Sequence, residues 1–337
     1  TDSYLAAFES FIAAAAARYR DDPRVSFVEI STGIYGETTP AETDDEVKSC
    51  LAAAGLNTDR WVDTVNRIVD IYQRHWHDTP LLLQYAPWYQ YRLERRLITD
   101  YAGSQGVGLK HNRLLWDGDD MVIRSDNGTI HPDVCRTGQT DPMLQWAGQV
   151  PMGWEGESVY YANAGDFLWS ILNGMNKHAS YLLIGKQSLQ SNDPTVQWAL
   201  RLADRYAGVT VDTTPGVWTA LRETSSLWFP QRGNYDFWLR QDNNAPGGRT
   251  IPQWNVTSYP WGKYTRRTDT ASGNTLMAFD VDNAYLFDNP AAAPAPVTIT
   301  VIYLDDGTDS WDLQYDAIGD RGQPLSLIHI SEPTRPY

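Results

Sequence analysis

Residues 25–37 read VSFVEISTGIYGE. The stretch follows a turn signal, Asp21-Asp22-Pro23, and carries Val25, Phe27, Val28 and Ile30 as a short run of β-branched and aromatic residues. A strand buried in a parallel sheet has this composition. Gly33 and Gly36 let the backbone turn at its end, and Glu37 follows. A carboxylate at the carboxyl end of a parallel strand lies where α/β barrels place their chemistry. Glu37 is therefore the first candidate catalytic residue. The plainer role is to cap a loop or open a helix.

Upstream, Ser3–Arg20 has Leu5, Phe8, Phe11, Ile12, Ala15 and Tyr19 at helical spacing. Downstream, helices are expected over Asp44–Ala54 and over Thr58–Trp76, then a strand at Leu81–Tyr85 and a charged helix, Tyr89–Tyr101. The alternation continues with strands at Val107–Leu115, Gln149–Trp154 and Ala179–Gly185. A short helix is expected near Asp141–Ala147, and longer ones at Asn163–His178 and Thr195–Ala207. Asp193-Pro194 opens the last of these.

Strands alternating with helices at this spacing fit a doubly wound open sheet or a (β/α)8 barrel. Neither GxGxxG nor a P-loop follows any strand, which disfavours nucleotide binding. Carboxylates and aromatics at several strand ends favour the barrel. The fold class is thus α/β, a partial TIM barrel over residues 1–211 that supplies strands four to eight. The earlier strands are expected upstream of Thr1.

After about Val211 the helical periodicity stops. Short strands are expected at Trp218–Arg222, Tyr235–Arg240, Leu276–Val281, Thr298–Leu304 and Trp311–Tyr315, which read as a β-sandwich domain over residues 212–323. Residues 325–337, LSLIHISEPTRPY, resemble the translation of a transposase sequencing adapter, so residues 324–337 are expected to stand outside the fold.

The net charge of −15 argues against nucleic acid and against anionic membranes as partners. No apolar run is long enough to span a bilayer. Fourteen Trp and nineteen Tyr stand out; many of them must pack the core, but such flat faces also suit the CH-rich faces of sugar rings. Cys50 and Cys135 pair or stay free; spacing does not decide. No metal is expected. Asp117, Asp119 and Asp120 lack the EF-hand pattern. His75 and His77, two apart on a helix, do not share a face.

A second acidic strand end is PMGWEGES, residues 151–158, with Glu155 and Glu157. Paired carboxylates are the minimal machinery for glycoside hydrolysis: one donates a proton to the leaving oxygen, the other attacks the anomeric carbon or activates water. With GIYGE (Gly33–Glu37) and PMGWEGES, the chain resembles retaining glycoside hydrolases with the acid/base on barrel strand four and the nucleophile on strand seven. More narrowly it resembles β-galactosidase-like barrels followed by a sandwich, through NYDFWLRQ (Asn234–Gln241) and VIYLDDGTDSWDLQYD (Val301–Asp316). Many such enzymes carry Asn before the acid/base; here the residue is Gly36.

The resemblance implies Glu37 as acid/base and Glu155 or Glu157 as nucleophile, with the two carboxyl groups about 5–5.5 Å apart, or about 6.5–9.5 Å in an inverting variant. Tyr35, Tyr85, Trp88, His111, Asn112, Trp116 and Trp154 are expected to bind a carbohydrate substrate along the same rim, with Lys110, Lys186 and Gln187 nearby. A secreted, cofactor-free monomer is expected. The alternative is a non-catalytic carbohydrate-binding or adhesion protein on the same scaffold.

Overall fold

The computed structural model describes residues 2–41, 45–84, 92–112, 114–116, 146–156, 161–222, 234–254, 264–286, 297–304, 310–315 and 326–330. The chain forms two compact units, Thr1–Leu286 and Phe287–Tyr337.

The first unit opens with helix α1 (Asp2–Tyr19), then strand β1 (Val28–Ile30) and a 3-10 turn at Ile34–Gly36. Helices α2 (Asp45–Ala53) and α3 (Thr58–His75) lead to β2 (Leu81–Gln84). Helix α4 (Arg92–Ser104), β3 (Gly108–His111), β4 (Met152–Gly156), α5 (Ala164–Asn176) and β5 (Tyr181–Ile184) follow. A single turn, α6 (Lys186–Leu189), precedes α7 (Pro194–Tyr206).

Side chains start these helices where backbone donors lack partners. The Asn57 side chain accepts from the Arg60 N–H, Asn163 from Asp166, and Asp193 from Thr195 and Val196. The α3 cap is thus Asn57, one residue before the expected Thr58.

Strands β1 to β5 form one sheet in sequence order, and every pairing is parallel. Side chains alternate between its faces. One set, Ile30, Leu83, Leu109, Met152 and Trp154, joins the main apolar core with Val65, Ile68 and Val69 of α3 and Leu168, Leu172 and Met175 of α5. The other set is Phe27, Glu29, Leu82, Gln84, Lys110, Gly153, Glu155, Tyr181 and Leu183, in rows fixed by the register.

Flat, five strands would separate the two edges by about 19 Å. Yet the Phe27 and Tyr181 rings, just before β1 and at the start of β5, lie with centroids 4.7 Å apart. The sheet is therefore curled around its second face. This is a parallel half-barrel with helices outside, and it agrees with the barrel side of the sequence reading.

The expected β-sandwich is not found among the described residues. The antiparallel strands there form separate two-stranded sheets: β6 (Trp218–Ala220) with β7 (Tyr235–Phe237), β8 (Leu239–Asp242) with β11 (Ala278–Val281), and β9 (Thr250–Trp254) with β10 (Tyr264–Thr268). The reason lies in what β7 buries. Tyr235 packs against Trp169 of α5 and Phe237 against Tyr206 of α7. The Asp236 N–H also donates to Asn176 Oδ1. This stretch therefore shares a compact unit with the half-barrel, whose last residue is Leu286.

The second unit, taken alone, contains an antiparallel pair, β12 (Trp311–Tyr315) with β13 (Ser326–Ile330). Strand β13 falls inside the adapter-like segment expected to stand apart. Its composition, with Leu327, Ile328 and Ile330 among five residues, suits a strand. Residues 298–304, expected as a strand, have no ladder partner among the described residues, and Ile299, Val301 and Ile302 are exposed.

Candidate active site on the concave face of the half-barrel

The concave face is layered. Phe27 and Tyr181 meet across it near the amino ends of the strands. Leu82 fills the next level and is fully buried. Above it lies Lys110, whose side chain is only 5% exposed. A burial this deep requires the ammonium to be paired. Lys110 Nζ donates to Glu155 Oε2 at 2.6 Å and to Glu29 Oε1 at 3.0 Å. Three strands thus supply one acid–base–acid cluster: Glu29 from β1, Lys110 from β3 and Glu155 from β4.

Gly153 makes the cluster possible. A Cβ there would lie 3.2 Å from Lys110 Cβ and Cγ and 3.1 Å from Leu82 Cδ1. The missing side chain is the space the lysine stem occupies.

Burial acts against the Lys110 ammonium, but the hydrogen bond to Glu155 and the charge and hydrogen bond of Glu29 outweigh it. Its pKa is held above the ordinary lysine value. A lysine serving as an amine nucleophile needs the opposite shift. Lys110 is a fixed cation.

Glu37 is set by the turn after β1. The 3-10 turn ends at Gly36 with φ of 79°. That left-handed conformation accounts for Gly36 at this position. The Glu37 N–H donates to the Ile34 carbonyl, and the buried Thr38 hydroxyl donates to the Gln84 carbonyl, tying the turn to β2. Asn112 Nδ2 then donates to Glu37 Oε1 at 2.9 Å. Asn112 follows β3 and shares the face of Lys110, two residues before it. The two expected catalytic carboxylates are thus held by neighbouring same-face positions of one strand, about 7 Å apart along the chain.

Two amides complete this layer. Gln84, on β2 in register with Lys110, is 1% exposed, and neither its Oε1 nor its Nε2 has a partner among the described residues. Asn112 Oδ1 is likewise buried and unpartnered. Both can donate to or accept from hydroxyl groups of a ligand or ordered water.

The remaining expected site residues divide. Trp154 faces the other way: it is fully buried, and a Cβ on Gly174 of α5 would lie 4.0 Å from its Cγ. His111, in register with Trp154, is buried with its ring 5.2 Å from the Trp154 ring. Both pack beneath the helices, on the face opposite Glu155, because residue parity turns them there. Trp116 packs against Tyr264 at 6.0 Å, and its carbonyl accepts from the Tyr235 hydroxyl. It helps seat the antiparallel strands.

Lys186 and Gln187 are exposed after β5. Tyr85, Trp88 and Glu157, together with Asp117, Asp119, Asp120 and Cys135, lie outside the described residues, as does the Tyr35 side chain. Cys50 is a free, exposed thiol. His75 faces Glu9 at 3.3 Å. Among the described residues no group of metal-binding side chains is assembled, and no helix is long and apolar enough to cross a membrane.

The residues missed in the sequence are Glu29 and Gln84. Glu29 stands between Val28 and Ile30, and a charge inside so apolar a strand was the available signal.

Neither a protein-family model nor a curated protein matches the chain. Among solved structures, it is similar to the crystal structure of an archaeal fructose 1,6-bisphosphate aldolase at 17% identity. That likeness has a TM-score of 0.25, covers 44% of this chain and spans about half, 53%, of the other. A score this low carries no argument about either fold or function.

Proposed function

We propose that the chain is a glycoside hydrolase acting on oligo- or polysaccharides by a retaining, two-carboxylate mechanism. Glu37 is the acid/base and Glu155 the nucleophile, on a barrel scaffold of the β-galactosidase-like kind. One observation carries the reading: the two carboxylates occupy one concave face and have different partners. An ammonium faces Glu155 and a neutral amide faces Glu37. A nucleophile must be ionised, and a buried cation is its natural neighbour. A general acid must be able to hold a proton, and an amide neighbour permits that.

In the first step a Glu155 oxygen bonds to the anomeric carbon. The bond from that carbon to the leaving oxygen breaks, and Glu37 gives that oxygen its proton. In the second, Glu37 takes a proton from water. The water oxygen bonds to the anomeric carbon, and Glu155 departs as a carboxylate. The amide of Gln84 and the Oδ1 of Asn112, which has no partner among the described residues, supply hydrogen bonds to sugar hydroxyls. The reading carries with it action outside the cell and a monomeric enzyme.

The test is turnover of a panel of 4-nitrophenyl glycosides by the wild-type chain, Glu37→Gln and Glu155→Gln. Each variant is expected to lose at least about a hundredfold in kcat. A 2-deoxy-2-fluoro glycoside should label the peptide that contains Glu155. Wild-type protein that binds sugars but turns over none of the panel would point to a non-catalytic carbohydrate-binding protein.

A further inference from the structure

We propose that Glu29 is a positioning residue of the same reaction: it keeps Lys110 neutralised while Glu155 is tied up as an ester. The inference rests on the reading of Glu155 as nucleophile.

Lys110 is deeply buried and touches two carboxylates, 2.6 and 3.0 Å away. Before reaction the cluster carries one net negative charge. When Glu155 bonds to the anomeric carbon it becomes a neutral ester, and its negative charge leaves the cluster. The leaving oxygen receives the Glu37 proton and departs as a neutral hydroxyl. With Glu155 alone as counter-ion, this step would strand a desolvated ammonium beside a sugar that is itself becoming cationic. Leaving a buried charge uncompensated is among the costliest changes a protein site can undergo. Glu29 removes that cost: the cluster passes from one net negative charge to zero, and Lys110 is paired throughout.

Among the described residues the other strands offer no substitute on this face. β2 presents Leu82 and Gln84, and β5 presents Tyr181 and Leu183. Glu37 is engaged by Asn112 in the layer above. Glu29 sits on the far side of Lys110 from Glu155, two strands from β3, so it steadies the cation without entering the space where the sugar reacts.

The experiment uses the full chain and the best aryl glycoside of the panel. Glu29→Gln is expected to lower kcat about tenfold or more with KM changed less than about twofold, because the charge is needed only as the ester forms. Glu29→Asp keeps the charge and should recover most of that loss. In a Lys110→Met background, Glu29→Gln should add no further loss, since no cation then needs it. Thermal unfolding of each variant checks the fold. If Glu29→Gln does not fold, Glu29→Ala, alone and in the Lys110→Met background, gives the same comparison.

A wild-type kcat in Glu29→Gln, alongside an inactive Glu155→Gln, would overturn the role of Glu29 and leave the glycosidase reading standing. An equal loss with and without Lys110 would reduce Glu29 to a structural residue. Absence of turnover by the wild-type chain would remove the glycosidase reading, and this inference with it.

Discussion

Lys110 reaches Glu155 across 2.6 Å from the neighbouring strand, over the vacant side of Gly153. The contact joins a buried cation to the carboxylate that the proposed mechanism makes nucleophilic.

Replacing Lys110 by Met leaves Glu29 and Glu155 facing one another with no cation between them. Removing one partner of a buried ion pair costs about 3–5 kcal/mol. The lower end applies here, since the two carboxylates are 33% and 30% exposed. The sign of the pH effect follows from the raised pKa of Lys110. Its stabilisation is fully present below the ordinary lysine value of 10.5 and is lost as pH rises through the higher value of the folded state. Urea unfolding from neutral to strongly alkaline pH should show this loss in the wild type and not in Lys110→Met.

Gly153→Ala tests the vacancy. The added methyl must displace Leu82 or the Lys110 stem, each about 3 Å away. Overpacking of this kind costs about 1–3 kcal/mol. Activity should fall beyond what the stability change explains, because Lys110 moves with its stem.

Trp154 separates two roles for an aromatic beside Glu155. As a core residue it should lose about 3–5 kcal/mol on change to Ala. Its Nε1 has no partner among the described residues, so Trp154→Phe discards a buried donor and should be tolerated. Sugar affinity, followed by calorimetry, should not change in Trp154→Phe. A loss of affinity at unchanged stability would show that the ring reaches the ligand.

Asp236 is the half-buried carboxylate of β7. Burial raises its pKa above the ordinary value, against the opposing hydrogen bond from Thr219 and charge of Arg240. A raised carboxylate pKa means the folded state favours the proton, so this group's contribution to stability improves as pH falls from neutral toward 4. Asp236→Asn keeps an acceptor for the Thr219 hydroxyl and removes the half-buried charge. It should raise the unfolding midpoint at pH 7 and change it less at pH 4.

The parallel strands and outer helices were readable because their signals are local. Leu81–Leu83 is a run of buried leucines, and Asp193-Pro194 starts a helix by its own chemistry. The strand-end places of Glu37 and Glu155 were also readable, since each follows or ends an apolar strand beside a glycine. Facing and partnership were not readable in the same way. His111 and Trp154 lie at strand ends, as expected, but parity turns both under the helices. Glu29 was passed over because its partner lies 81 residues away on β3. The β9–β10 hairpin was missed because Pro252 interrupts its first strand, and Pro usually argues against one. The expected sandwich is not seen among the described residues, for a related reason. Alternating residues give a strand its buried face but do not say which surface covers it, and Tyr235 and Phe237 found helices.

The contact between Phe27 and Tyr181 has a consequence for how the molecule assembles. Neighbouring strands of the half-barrel can dock as each crossover helix forms. This ring pair instead joins residues about 150 positions apart and spans all five strands, so the entropy of closing the chain is borne before it can form. It belongs among the last contacts made and the first released. Phe27→Ala should therefore speed unfolding in a stopped-flow denaturant jump and leave the refolding rate nearly unchanged. The curl would be a late act of folding, added to a sheet whose order is already settled.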